Sequence, residues 1–194
     1  RVIDDYSDLG QNACVESTEK VDVGGVDVIA GMIRGVLSAV DPETRRVSLK
    51  LSDGSVLDGQ LHPDWSLEEA SSLLGKVWDL SKAYRQLARS PAHASISIIA
   101  TFNSKSQCTE LYEQVVLPFG STASVYDFNL VARALQMILL RGFGIIRTHY
   151  FDDYPTIEFK ALAPHIQVTV DAIFKLLGWD TKVQKPFAVA VSFE

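Results

Sequence analysis

Residues 122–142, TASVYDFNLVARALQMILLRG, constrain the fold more than any other stretch of the chain. Val125, Phe128, Val131, Leu135, Ile138 and Leu139 recur at the spacing of one helical face, and Gly142 follows as a stop signal. A helix of this length with one apolar stripe has to bury the stripe against a second layer. The surrounding sequence supplies strands for that layer. VWDL (77–80), ASISIIATF (94–102), YEQVVLPF (112–119) and FAVAVSFE (187–194) all read as strands. GIIRTHYFDDYPTIEF (144–159) reads as a hairpin with its two aspartates at the tip, and PHIQVTVDAIFKLLG (164–178) as a second helix between Pro164 and Gly178. The order predicts an α+β fold with a helix-backed antiparallel sheet over residues 76–194.

Residues 1–75 read as a partly separate lobe. GGVDVIAGMIRGVLSAV (24–40) has helical spacing loosened by glycines. RRVSLKLSDGSVLDGQL (45–61) alternates on either side of Asp53-Gly54, a hairpin signature. Ser66 followed by Glu69 is a capping box, which predicts a short helix running to about Gly75.

Several function classes drop out on composition. The 194 residues are 47% hydrophobic and 22% charged, an ordinary globular balance. Cys14 and Cys108 are the only cysteines, which indicates neither a disulfide framework nor a zinc site. No apolar run reaches membrane-span length, and no leader follows Arg1, so the expected location is intracellular, in cytoplasm or nucleus. A chain starting at Arg1 also reads as part of a longer polypeptide. The net charge of −6 argues against a free-standing nucleic-acid binder. Yet Lys76, Lys82, Arg85 and Arg89 face only Asp79 in their stretch, a local basic stripe able to meet phosphates.

The carboxylates are the chemical signal. Asp79 interrupts an apolar strand, where a buried charge is costly unless it is paired or ligates a metal. Asp152 and Asp153 sit side by side between aromatic residues. Were the three to converge at one sheet end, their repulsion would call for a cation, and hard oxygen donors suit Mg²⁺. Two such ions about 3.5–4 Å apart serve in-line phosphoryl displacement. An ordinary turn explains an Asp-Asp pair equally simply, and composition leaves both readings open.

YFDDY (150–154), taken with DLSKAYRQL (79–87) and LPFGSTASVYDF (117–128), resembles the reverse transcriptase palm: these match that family's C, A and B motifs in the family's order. RVIDDYSDLGQN (1–12) resembles its fingers motif, and LGWDTKVQKPF (177–187) the region of its D motif. The resemblance spans nearly the whole chain and is closest to the retrotransposon type. It implies a polymerase palm over 76–194 with motifs A, B, C and the start of D, a partial fingers lobe over 1–75, and no thumb. The implied activity is RNA-directed DNA polymerisation, with two Mg²⁺ ions (or Mn²⁺ in their place) transferring dNTPs to a primer 3′-hydroxyl. The implied partners are an RNA or DNA template, a primer, dNTPs and further domains of a polyprotein.

Residue by residue, the resemblance makes Asp79 and Asp152 the metal-binding carboxylates, with Asp153 the third acid and the Leu80 backbone a further ligand. Tyr84 would lie under the sugar and exclude a 2′-hydroxyl. Arg1 would grip triphosphate. Phe119 and Gly120 would shape the template and nucleotide pocket, and Lys182 or Lys185 would attend the leaving pyrophosphate. A second reading stands beside this one. Val125 and Ser121 depart from the usual B motif, and with no thumb expected in these residues the pattern also fits a decayed or domesticated fragment that only binds nucleic acid or protein.

Overall fold

The computed structural model describes residues 6–8, 10–16, 20–182 and 186–189. Its elements run α1 (Val26–Ser38), β1 (Arg46–Lys50), β2 (Val56–Gln60), α2 (Leu67–Ser71), β3 (Leu73–Asp79), β4 (Ile98–Asn103), β5 (Cys108–Glu113), α3 (Thr122–Phe143), β6 (Asp153–Phe159), α4 (Ala163–Leu176) and β7 (Ala188–Val189). All strand pairings are antiparallel, so the α+β expectation holds. The central sheet has the order β6-β3-β7; of two separate ribbons, β1-β2 precedes it in sequence and β4-β5 lies between β3 and β6.

Strand alternation explains how the central sheet divides its faces. Trp78 pairs with Tyr154 and Lys76 with Thr156, and all four side chains are buried. That face meets the helices: Tyr154 packs edge-on to Phe174 of α4, and Trp78 Nε1 donates to Asp171 Oδ1 at 3.1 Å. Lys76 is held by Gln167 of the same helix, and its ammonium lies 4.4 Å over the Trp78 ring. Burial pushes the Lys76 ammonium down, and the nearby Asp171 carboxylate partly restores it. The opposite face is open near its acidic end, where Val77 is 50% exposed.

The core joins this sheet to α3 through Phe128, Ala132, Leu135 and Leu139, with Val170, Ile173 and Phe174 contributed by α4. Ile138 departs from the expected stripe and is exposed; Ala132 takes the inward place. Helix α3 also ends later than Gly142. Gly144, with φ 67°, supplies the left-handed cap, and its N–H returns to the Leu139 and Leu140 carbonyls.

Other boundaries shift for local reasons. The Ser66–Glu69 capping box is present, but α2 stops at Ser71 because β3 claims the chain from Leu73 for pairing with Phe159. The strand expected over 112–119 is instead β5, ending at Glu113. The residues after it form only the bridge Ala88↔Val116. Of the terminal strand expected over 187–194, only Ala188–Val189 falls within the described residues as β7. Among the described residues no helix is long and apolar enough to cross a membrane.

Candidate active site

The register of β3 on β6 places Asp79 directly opposite Asp153. Asp153 exchanges both backbone hydrogen bonds with Tyr150, at 2.8 and 3.0 Å, on its other side. The Asp79 carbonyl likewise turns outward and accepts from Lys182 N–H at 3.0 Å. The two aspartates are therefore a non-hydrogen-bonded pair, the closer kind, with Cα atoms ~4.5 Å apart in a regular ladder. Like charges so opposed destabilise a sheet. Both side chains emerge on the open face, away from the helices.

Asp152 is next to them. The reciprocal Tyr150–Asp153 bonds leave Phe151 and Asp152 as a two-residue turn, and Phe151 carries φ 52°. A bulky side chain in that region costs on the order of 1–3 kcal/mol and is the kind of strain that gathers at functional sites. The Asp-Asp pair is therefore divided between a turn position and the first residue of a strand.

The setting of Asp79 corrects the sequence argument. It is the last residue of β3 rather than an interruption within a buried strand, and its side chain is 37% exposed. The carboxylate is thus buried only in part, at Oδ1, and the like charge of Asp153 across the ladder adds to its need for a cation. Lys182 supplies one: its ammonium forms an ion pair with Asp79 Oδ2. The sequence left Lys182 and Lys185 as equal candidates. The structure brings Lys182 to the carboxylate, while Lys185 lies outside the described residues, as does Arg1.

Lys182 reaches Asp79 because residues 180–182 run beside the end of β3. Leu80 bridges Thr181, and Ser81 N–H donates to the Asp180 carbonyl at 2.8 Å. This alternation turns the Leu80 carbonyl to the other edge, the side of the Phe151–Asp152 turn, while its side chain is fully buried. Gln86 ties the arrangement together. Its Nε2 donates to the carbonyls of Ser81 at 2.6 Å and Asp180 at 2.9 Å, and its Oε1 accepts from Asp180 N–H at 2.8 Å. Gln86→Leu is expected to lower unfolding stability by about 1–3 kcal/mol in urea titration, since it strands three backbone groups. Amide exchange at Ser81 and Lys182 should rise with it.

Tyr84 is 7% exposed, its ring 5.4 Å from Phe119 edge-on and 4.6 Å from Phe128. The segment that carries Phe119 is held to Tyr84's own segment, with Leu117 N–H on the Leu87 carbonyl and Arg89 N–H on the Val115 carbonyl. Gly120, with φ 110°, follows in the left-handed region that favours glycine. Tyr84, Phe119 and Gly120 thus form one cluster; Asp79, Asp152, Asp153, Leu80 and Lys182 form the other.

Asn12 is a residue that the sequence did not single out. Its Nδ2 donates to the Gly120 carbonyl at 3.1 Å, and its Oδ1 accepts from Thr122 N–H at 2.8 Å, satisfying a free donor at the start of α3. A cleft of about 250 Å³ lies between this contact and Arg89, bordered by Tyr6, Pro118, Ser124 and Asp127. Arg89 is locked by Glu113 and by the Gln114 carbonyl.

Beneath the acidic turn, Arg147 and His149 are both buried. The Arg147 guanidinium stacks 4.5 Å over Tyr154, and its nitrogens have no hydrogen-bond partner among the described residues. Burial pushes it down to about 9. Gln136 of α3 braces the strand: its Nε2 donates to the Arg147 carbonyl at 3.2 Å, which directs its Oε1 to His149 Nδ1 at 2.7 Å. Burial pushes the His149 imidazole down, so it is neutral and donates from Nδ1.

Among the described residues, no three His, Cys, Asp or Glu side chains close into a metal cage. No protein-family model matches the chain, and no curated protein matches it in sequence.

Proposed function

We propose that the chain is the palm and part of the fingers of a retroelement RNA-directed DNA polymerase. The observation that carries this reading is the direct opposition of Asp79 and Asp153 on the open face of a helix-backed antiparallel sheet, with Asp152 in the adjoining strained turn. The donor set suits Mg²⁺: carboxylate oxygens with the Leu80 carbonyl on the same side, at a pair that already draws in an ammonium. Asp79, Asp152, Asp153 and the Leu80 carbonyl would hold the ions. When bound, Mg²⁺ activates the primer hydroxyl and offsets charge on the departing pyrophosphate.

The chain's own groups take the remaining roles. Lys182 pairs with Asp79, and its ammonium would be at hand to offset charge on a departing pyrophosphate. Tyr84, fixed between Phe119 and Phe128, is a rigid wall on which a ribose 2′-hydroxyl would collide. Tyr84→Val should raise ribonucleotide use relative to deoxyribonucleotide by ~10-fold or more in competition assays, while Tyr84→Phe should leave the ratio unchanged. Equal ratios in all three proteins would remove Tyr84 from the sugar site.

The direct test is dNTP addition to a primer on an RNA template by the parent polypeptide, with and without EDTA. A second reading, a module that only binds nucleic acid, is favoured by the absence of a closed carboxylate cage among the described residues and by the Lys182–Asp79 pair. Template–primer binding that survives both EDTA and Asp79→Asn, with no incorporation, selects that reading.

A further inference from the structure

We infer that Gly24 is a positioning residue for the acidic turn, acting through Thr148 and His149; this inference rests on the polymerase reading for its catalytic consequence. Gly24, in the irregular segment ahead of α1, lies against residues 148 and 149. Gly24 N–H donates to the His149 carbonyl at 2.8 Å. A Cβ on Gly24 would fall 1.7 Å from Thr148 Oγ1, 2.8 Å from its Cβ and 2.9 Å from its Cγ2, so no side chain fits there without displacement. The glycine is required here by close approach rather than by its φ.

The strand so contacted leads straight into the turn. Thr148 N–H donates to the Pro155 carbonyl at 3.0 Å on the β6 side, Gln136 holds the Arg147 carbonyl and the His149 ring from α3, and Gly24 closes the third side. Asp152 is three residues beyond His149, on a two-residue turn closed by the Tyr150–Asp153 pair. Any freedom in 147–149 therefore passes to Asp152. Adding a methyl group at Gly24 either drives Thr148 away by an ångström or more or breaks the bond to His149. Both loosen the strand.

The test compares wild type, Gly24→Ala and Gly24→Ala/Thr148→Gly, the last removing Oγ1, Cγ2 and Cβ from the point of collision. Hydrogen exchange on the 194-residue chain reads the clasp without any activity. Gly24→Ala should speed exchange at the Tyr150 and Asp153 amides by ~10-fold or more. The double variant should return most of the protection. In the parent polypeptide, Gly24→Ala should lower kcat for dNTP addition by ~10- to 100-fold with KM for dNTP within about twofold, since a misplacement near 1 Å costs on this scale. Unchanged exchange in Gly24→Ala, or a double variant as impaired as the single one, overturns the clasp. A parent polypeptide without incorporation overturns the polymerase reading while the exchange result still decides the clasp. Active wild type with unchanged kcat in Gly24→Ala overturns the positioning role alone.

Discussion

Asp79→Asn and Asp152→Asn are each expected to cut templated dNTP addition by the parent polypeptide on the order of 10²–10³-fold without unfolding it. The amide keeps the size and shape of the carboxylate, removes its charge and turns one acceptor oxygen into a donor, so its interactions with a cation are weakened most. The structural cost is small at both places. Asp79 is at a strand end and 37% exposed, and its ion pair with Lys182, whose side chain is 46% exposed, is of the surface kind worth ~0–1 kcal/mol. Asp152 occupies a turn position and contributes no side chain to the buried core. Asp153→Asn adds a discriminating arm. It relieves the like-charge opposition across the ladder, so its melting temperature should equal or exceed wild type while incorporation falls. That combination, activity lost as stability is kept, marks residues placed for function against the interest of the fold. Full incorporation by Asp152→Asn, with melting unchanged, would reduce the pair to a surface bend and defeat the two-ion reading.

The parts of this site that were legible in the sequence are those that local rules determine. The capping box at Ser66, the Asp53-Gly54 turn and the α3 stripe each depend on residues within a few positions of one another. The Tyr150–Asp153 hairpin belongs to the same group. What escaped depends on partners roughly a hundred residues away. Gln86 and Asp180 are 94 apart, and Asn12 and Thr122 are 110 apart; an amide carries no periodic signal that would announce such a bond. The reach of β3 back to Leu73 escaped for a similar reason. Gly75 and Lys76 read as a helix end and part of a basic stripe, yet antiparallel pairing with β6 and the Gln167 side chain bury Lys76. Asp79 reads in sequence as costly through burial alone; register against Asp153 adds a like charge, and register is invisible until both strands are paired.

Arg147→Met is expected to raise stability by ~1–4 kcal/mol at neutral pH, the range found when buried ionic groups give way to apolar ones of similar volume. Arg147 is 0% exposed, and among the described residues none of its guanidinium nitrogens has a hydrogen-bond partner. What offsets its desolvation is three aromatic faces: Tyr154 at 4.5 Å, Phe174 at 5.4 Å and Trp78 at 5.8 Å. Each such contact contributes ~0.5–2 kcal/mol. With burial holding the group down to about 9, well below its ordinary value, keeping it charged costs ~5 kcal/mol before any wider relaxation. The sign of the pH dependence follows. Above about 9 the folded chain has released this proton and the unfolded chain still holds it, so the Arg147 contribution to stability rises with pH from there and the penalty is complete below it. Tyr154 works in the opposite sense: burial raises its phenol above 10, so its contribution is present below 10 and is lost as pH climbs. The difference between wild type and Arg147→Met is therefore the quantity to measure, by urea unfolding at pH 7, 9 and 10.5. The advantage of the methionine should be largest at pH 7 and should shrink by roughly 1.4 kcal/mol per unit above pH 9. A methionine variant less stable than wild type at pH 7 would mean that the three rings more than compensate the buried charge, and that the cation is part of what holds the acidic turn on the sheet.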